Sequence, residues 1–217
     1  MPKQLKQERA EQTRRSLMLA AATMFDQVGY ERASLAAICE SAGVTKGALS
    51  FHFASKGELA SAVQKLACVE SRARLSVLHR PEVPALQTLI DMTELLAELL
   101  HTDPVIRAGA RLAREYETPQ DPAVDCYLCW LELLWNAYLR AEADRSVLPG
   151  TCARTVTALA WTVTTGVDAL VRSQRVLAAT GQAGTIAEGP REWLSRIWSM
   201  LLPQVVSPEQ RARVRLP

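Results

Sequence analysis

The chain has 217 residues, 48% of them apolar, and carries a net charge of +2, which excludes a disordered polypeptide and allows one large core or two. The longest uncharged apolar-rich run of the later half, residues 155–167, is shorter than the about 20 residues a spanning helix needs, and no basic start leads into an apolar stretch, so a cytoplasmic protein with no membrane contact is expected. Charge is uneven: residues 1–80 hold 12 Lys+Arg against 7 Asp+Glu and residues 81–217 hold 13 against 16, which points to a polyanion partner for the first third, although a solvated basic helix would give the same count.

Apolar residues recur at helical spacing almost throughout and no alternating stretch of useful length occurs, so the predicted fold class is all-α. A first helix from Leu5 puts Leu17, Ala21, Met24, Phe25 and Val28 on one face and ends at Gly29. Ser34 is placed to cap a second, with Leu35, Ile38, Cys39 and Ala42 inward. After a turn at Gly43, Thr45 caps a third helix of about seven residues. Ser55 caps a fourth, Glu58 completes a capping box, and Leu59, Val63, Leu66 and Ala73 form its stripe. Breakers at His79–Pro84, Thr118–Pro122, Val147–Gly150 and Gly181–Pro190 leave helices of about 17, 13, 24 and 28 residues and a last one over Arg191–Leu202. Asp103-Pro104 and Asp121-Pro122 each read as an N-cap followed by proline at the first helical position. The tail from Pro203 is expected to fray.

The five cysteines, an odd number, suit a reducing compartment; Cys126-x-x-Cys129 has no second CxxC, and His52, His79 and His101 are scattered, so neither metal nor cofactor is expected. Clustered carboxylates with a histidine, a phosphate-cradling glycine loop and an activated nucleophile are all missing, which leaves a helical enzyme or small-molecule carrier as a remote alternative and a non-enzyme as the expectation.

The stretch AGVTKGALSFHFASKGEL from Ala42 to Leu59 carries the sharpest signal. Two short helices joined at a glycine form a helix-turn-helix, whose second helix enters the major groove of double-stranded DNA, although the same pattern also occurs as a plain packing unit. Thr45, Lys46, Gly47 and Ala48 then face base edges. Lys46 can donate to guanine, Ala48 can touch a thymine methyl, and the small Gly47 and Ala48 permit close approach. Leu49 and Phe53 face inward, while His52, Lys56 and the N–H groups capped by Ser55 are candidates for phosphate.

Gly29-Tyr30, Leu35-x-x-Ile38 and this stretch resemble the DNA-binding signature of the tetracycline-repressor (TetR) family over residues 10–60. The resemblance implies an all-helical homodimer, with residues 1–54 as the DNA-binding domain and 55–217 as the ligand-binding and dimerisation domain. Where the family usually has a phosphate-touching tyrosine this chain has Ser50, which keeps a hydroxyl and loses reach; the expected cost is general affinity rather than specificity.

Val105 to Leu112, Trp130 and Thr164-Thr165-Gly166-Val167 are similar to the γ-butyrolactone autoregulator receptors, which repress antibiotic and other secondary-metabolite genes until a lactone arrives. That resemblance implies a pocket walled by Trp130 for a small lactone or furan-like effector; a TetR-type repressor of efflux sensing another hydrophobic compound is the rival reading. From the residues alone, the stripe Tyr127, Trp130, Leu134, Tyr138 is pocket wall or core, and a helix apolar nearly all round is expected to be buried. Arg107, Arg111 and Arg114 form a solvated face, or one of them, Arg111 first, bonds the effector or links its helix to the reader. Thr164 supplies a pocket hydroxyl or satisfies its own backbone. Ala158, Thr162, Thr165 and Ala169, with Leu194, Ile197, Trp198 and Leu201, are the expected dimerisation faces, the alternative being closure of the monomer core.

Overall fold

The structure is a computed structural model and describes residues 2–116, 125–179 and 188–217. Ten helices and no strand occur among the described residues: α1 Pro2–Arg32, α2 Leu35–Ala42, α3 Lys46–His52, α4 Lys56–Ser76, α5 Ala85–Thr102, α6 Pro104–Glu115, α7 Cys126–Ala143, α8 Ala153–Ala179, α9 Pro190–Val205 and α10 Pro208–Arg211. They form two compact units, residues 1–70 with 103–129, and residues 71–102 with 130–217, so that α4 and α7 each contribute to both.

In the first unit α1 packs against α2, α3 and, most extensively, α6. Leu17, Ala21, Phe25, Ile38, Leu49 and Phe53 close its core, as their spacing predicts. Gly29 leaves the helical path of α1 at φ +83°, a left-handed conformation that glycine alone takes without strain. Thr45 caps α3 by accepting from Ala48 N–H at 3.2 Å, and Asp103 caps α6 by accepting from Val105 and Ile106. Ser55 Oγ accepts from Glu58 N–H, and the Glu58 carboxylate reaches back to Ala54 N–H at 2.7 Å, closing the box one residue earlier than expected. Ser34 sits at the N-cap of α2, but its side chain makes no capping bond.

In the second unit α5 packs against α8 and α9, and α8 against α9. Two indoles are buried there with their N–H groups satisfied by hydroxyls: Trp198 donates to Thr93 at 2.9 Å and Trp130 to Ser71 at 2.7 Å. Leu194 and Trp198 therefore belong to the monomer core, which corrects their assignment to the dimer face: the inward stripe of α9 is Leu194, Trp198, Leu202 and Val205. Three further expectations change. The stripe of α4 passes through Leu75, and Ala73 is exposed. α7 is not buried all round, because Leu128, Leu131 and Leu139 lie on an outward face. The C-terminal segment does not fray: Pro203 lies within α9, Ser207 and Gln210 form a capping box on α10, and the main chain of Arg215 pairs with the side chain of Gln87. Asp121-Pro122 lies outside the described residues; the cap of α7 is Asp125, which accepts from Tyr127 and Leu128.

Candidate nucleic-acid interface and effector residues

The outward face of α3 is built by inward anchors. Leu49 and Phe53 are buried in the first unit, which turns Lys46, Gly47, Ser50 and Phe51 outward. Lys46 and Ser50 are exposed and have no hydrogen-bond or ion-pair partner among the described residues. Gly47 is informative by what surrounds it: a Cβ there would meet only Thr45 Oγ1, at an ordinary 3.8 Å, so the protein itself does not require glycine. Phe51, which the sequence reading left unassigned, is 81% exposed beside Ser50 and stacks edge-on with His52, ring centroids 5.1 Å apart. An aromatic kept in water on this face, next to the serine that replaces the family's tyrosine, adds a further candidate contact.

Ala48 is half-buried at the base of the face, and Thr45 still has a hydroxyl hydrogen to donate outward. Ser55 is occupied as an acceptor by Glu58 N–H. Lys56 is turned the other way: its ammonium donates to the Glu31 carbonyl at 3.0 Å and lies 4.6 Å from the centre of the Tyr30 ring. A phosphate contact by Lys56 has to share the charge with that anchor.

Of the arginine face of α6, Arg107 and Arg111 are half-buried and paired, and Arg114 alone is exposed, so the solvated reading holds for Arg114 only. Arg107 forms a two-point bond to the Asp26 carboxylate, Nε at 2.9 Å and Nη2 at 2.8 Å. Arg111 donates to the Asp26 carbonyl at 2.8 Å and to Glu115 at 2.7 Å, and Glu115 in turn accepts from Tyr30 N–H at 3.1 Å. Of the two roles open to Arg111, linkage of its helix to α1 is the one its bonds make. Arg114 donates to the Tyr127 hydroxyl at 2.6 Å. The seam is tight: a Cβ on Gly29 would fall 2.5 Å from Glu115 and 2.6 Å from Arg111, and one on Gly57 would fall 2.5 Å from the Tyr116 hydroxyl. Burial pushes the Glu115 carboxyl up, but the bonds from Arg111 and Tyr30 and the charges of Arg111 and Arg114 outweigh it and hold the group below the usual glutamate range. Burial, then the neighbouring Tyr116, pushes the Tyr30 phenol up. Asp26, Glu115 and Tyr116 were not singled out by sequence reasoning, since no spacing rule pairs residues more than eighty positions apart.

The effector candidates divide between the units. Arg111 and Tyr127 lie in the first; Trp130, Leu134 and Thr164 lie in the core of the second. Trp130 is fully buried with its ring 6.3 Å from Trp161, and its N–H is taken by Ser71, so it presents ring rather than donor. Thr164 donates to the Ala160 carbonyl at 2.8 Å and Thr165 to that of Trp161 at 3.0 Å, the self-satisfying option. Among the dimerisation candidates, Ala158, Thr162 and Ala169 are exposed on α8 beside Leu159 and Leu170, while Thr165, Ile197 and Leu201 are half-buried, next to an exposed Met200. No helix is long and apolar enough to cross a membrane, and no group of three metal-ligating side chains occurs, among the described residues.

Comparison with known proteins agrees with this layout. The profile of bacterial regulatory proteins of the tetR family matches residues 17–63. The A-factor receptor protein of Streptomyces griseus is 44% identical over 110 residues, 51% of this chain but 38% of that protein, so the chain matches well under two thirds of that relative's length. A crystal structure of a γ-butyrolactone receptor, an ArpA-like protein, is 33% identical with a TM-score of 0.74 and covers 94% of each chain. CprB from Streptomyces coelicolor, solved in complex with its biological operator sequence, is 33% identical with a TM-score of 0.71 and again covers 94% of each chain.

Proposed function

Because the chain belongs to the tetR family of bacterial regulatory proteins, we propose that it is a homodimeric transcriptional repressor, bound to a pseudo-palindromic operator and released by a small lactone or furan-like signal. The observation that carries the reading is the outward face of α3, where Lys46 and Ser50 are unpaired and Gly47 keeps open a space that the protein does not use. A face of donors and empty volume at a helix start is what a base edge requires. The chain's similarity to γ-butyrolactone receptors supports the class of signal and control of antibiotic or other secondary-metabolite genes. The similar proteins are regulators and receptors, not enzymes.

Dimerisation falls to the exposed small-residue face of α8, Ala158, Thr162 and Ala169, with Ile197 and Leu201 of α9; two copies place two reading helices roughly one turn of DNA apart. Release runs through α4. Trp130 holds Ser71, and Ser71 lies on the helix that begins beside the reader at Lys56. A signal that turns the indole breaks the bond to Ser71 and frees α4 to shift. Coupling of about 1–3 kcal/mol per subunit is typical of such devices, and two subunits approach a full switch.

The test is release of bound operator by a γ-butyrolactone. Trp130→Phe keeps a ring and removes the donor; it is expected to hold the operator and to need a different signal concentration for release. Release at an unchanged concentration in both Trp130→Phe and Ser71→Ala removes this pair from the switch.

A further inference from the structure

The second unit holds a cavity of about 470 Å³ that Trp130 does not line, between the start of α5, the turn after α7 and the C-terminal segment. It is a built feature rather than a crease. Gln87 is 4% exposed, and its side-chain amide pairs in both directions with the main chain of Arg215, accepting from N–H at 2.8 Å and donating to the carbonyl at 3.0 Å. This strap holds the last residues of the chain against α5 and makes them one wall. On another wall Gln210 donates to the Arg145 carbonyl at 2.6 Å.

Arg145, Arg213 and Arg215 all line this cavity, and none forms an ion pair among the described residues. Two carboxylates share the walls. Asp144 accepts from Ala85 N–H and Ser146 N–H, and Glu82 makes no ion pair with the arginines. Three arginines against two carboxylates leave the lining net positive, which favours an anionic occupant. Arg145 also sits at φ +59°, a left-handed conformation that glycine or asparagine would take more readily than a long side chain. A charged side chain is thus carried at a position whose backbone disfavours it. Between the charges, Val83, Pro84, Leu86 and Val214 give apolar wall.

We propose that this cavity is a binding site for a small organic anion, with a carboxylate or phosphate head engaged by Arg145, Arg213 and Arg215 and a short apolar body against Leu86 and Val214. The volume suits a metabolite rather than a macromolecule, and the planar fork of arginine matches both head groups in two-point fashion. The site is independent of the effector reading above, since none of its lining residues is among the effector candidates.

The experiment is calorimetric titration of the full chain with phenyl phosphate, and with benzyl alcohol as an uncharged body of similar size. Phenyl phosphate is expected to give a saturable isotherm, one site per chain, weakened by salt, and benzyl alcohol none. The double variant Arg213→Gln, Arg215→Gln keeps the main-chain strap and should lower affinity about tenfold or more. Arg145→Gln, on a separate segment, should weaken binding in the same direction, which guards against a loosened tail as the cause. No saturable binding of phenyl phosphate, equal binding of benzyl alcohol, or affinity unchanged in both variants overturns the proposal.

Discussion

The outward face of α3 and the seam between α1 and α6 lie in the same unit, and each contains a glycine. At Gly47 a side chain would meet almost nothing; at Gly29 it would strike the Arg111–Glu115 pair from a backbone angle closed to other residues. Polar groups follow the same contrast. Lys46 and Ser50 are unpaired on the face, whereas Arg107, Arg111, Asp26 and Glu115 are bonded across the seam. Groups left unpaired where room is left open are reserved for something outside the chain, and groups fully paired where no room is left make a joint.

The largest expected break in that contrast is Gly29→Ala. Left-handed strain together with displacement of the ion pair should lower unfolding stability by about 2–4 kcal/mol, read by denaturant titration. Next, Lys46→Ala should weaken operator binding by about 1–3 kcal/mol and relax one base position, with stability unchanged. Equal losses on operator and scrambled DNA would mean that Lys46 touches phosphate only. Gly47→Ala sharpens the comparison, because its two effects have opposite signs: stability should rise by up to about 1 kcal/mol, since glycine is a poor helix former and the Cβ meets no clash, while operator affinity falls. A fall in stability would show that the glycine serves the fold after all.

The smallest effect is electrostatic. Glu115 has a folded pKa below its unfolded value, so its stabilisation is complete above the unfolded value and is lost as pH falls through the folded one. Glu115→Gln should therefore lower the thermal midpoint at neutral pH, and the gap between wild type and variant should narrow as pH falls below the unfolded glutamate value of about 4.3. A gap that persists in acid would assign the loss to packing.

The helices, their caps at Thr45 and Asp103, and the inward turn of Leu49 and Phe53 were legible because each rests on residues within a turn or two of one another. Periodicity reports which face a residue occupies and not what it meets there. Arg111 could thus be placed on a face with Arg107, but its partner Asp26 is an ordinary polar position of α1 in the sequence. Trp130 was found by resemblance, while Ser71, which holds it, carries no pattern. Trp198 and Leu194 were expected at the interface on the resemblance, and the Thr93 hydroxyl that holds the tryptophan inward lies in another helix, beyond the reach of any local pattern. The tail misled through its prolines and charges, because the docking group, Gln87, is a long way upstream.

The most direct test of the central claim is fluorescence anisotropy of the full chain on duplexes tiled across the promoter of its own gene, against scrambled DNA, at several salt concentrations. Tight, sequence-selective binding with a steep salt slope, at a stoichiometry of two chains per site, is the predicted result. Weak binding that ignores sequence would contradict it, and would mean that the open face of α3 does not read DNA.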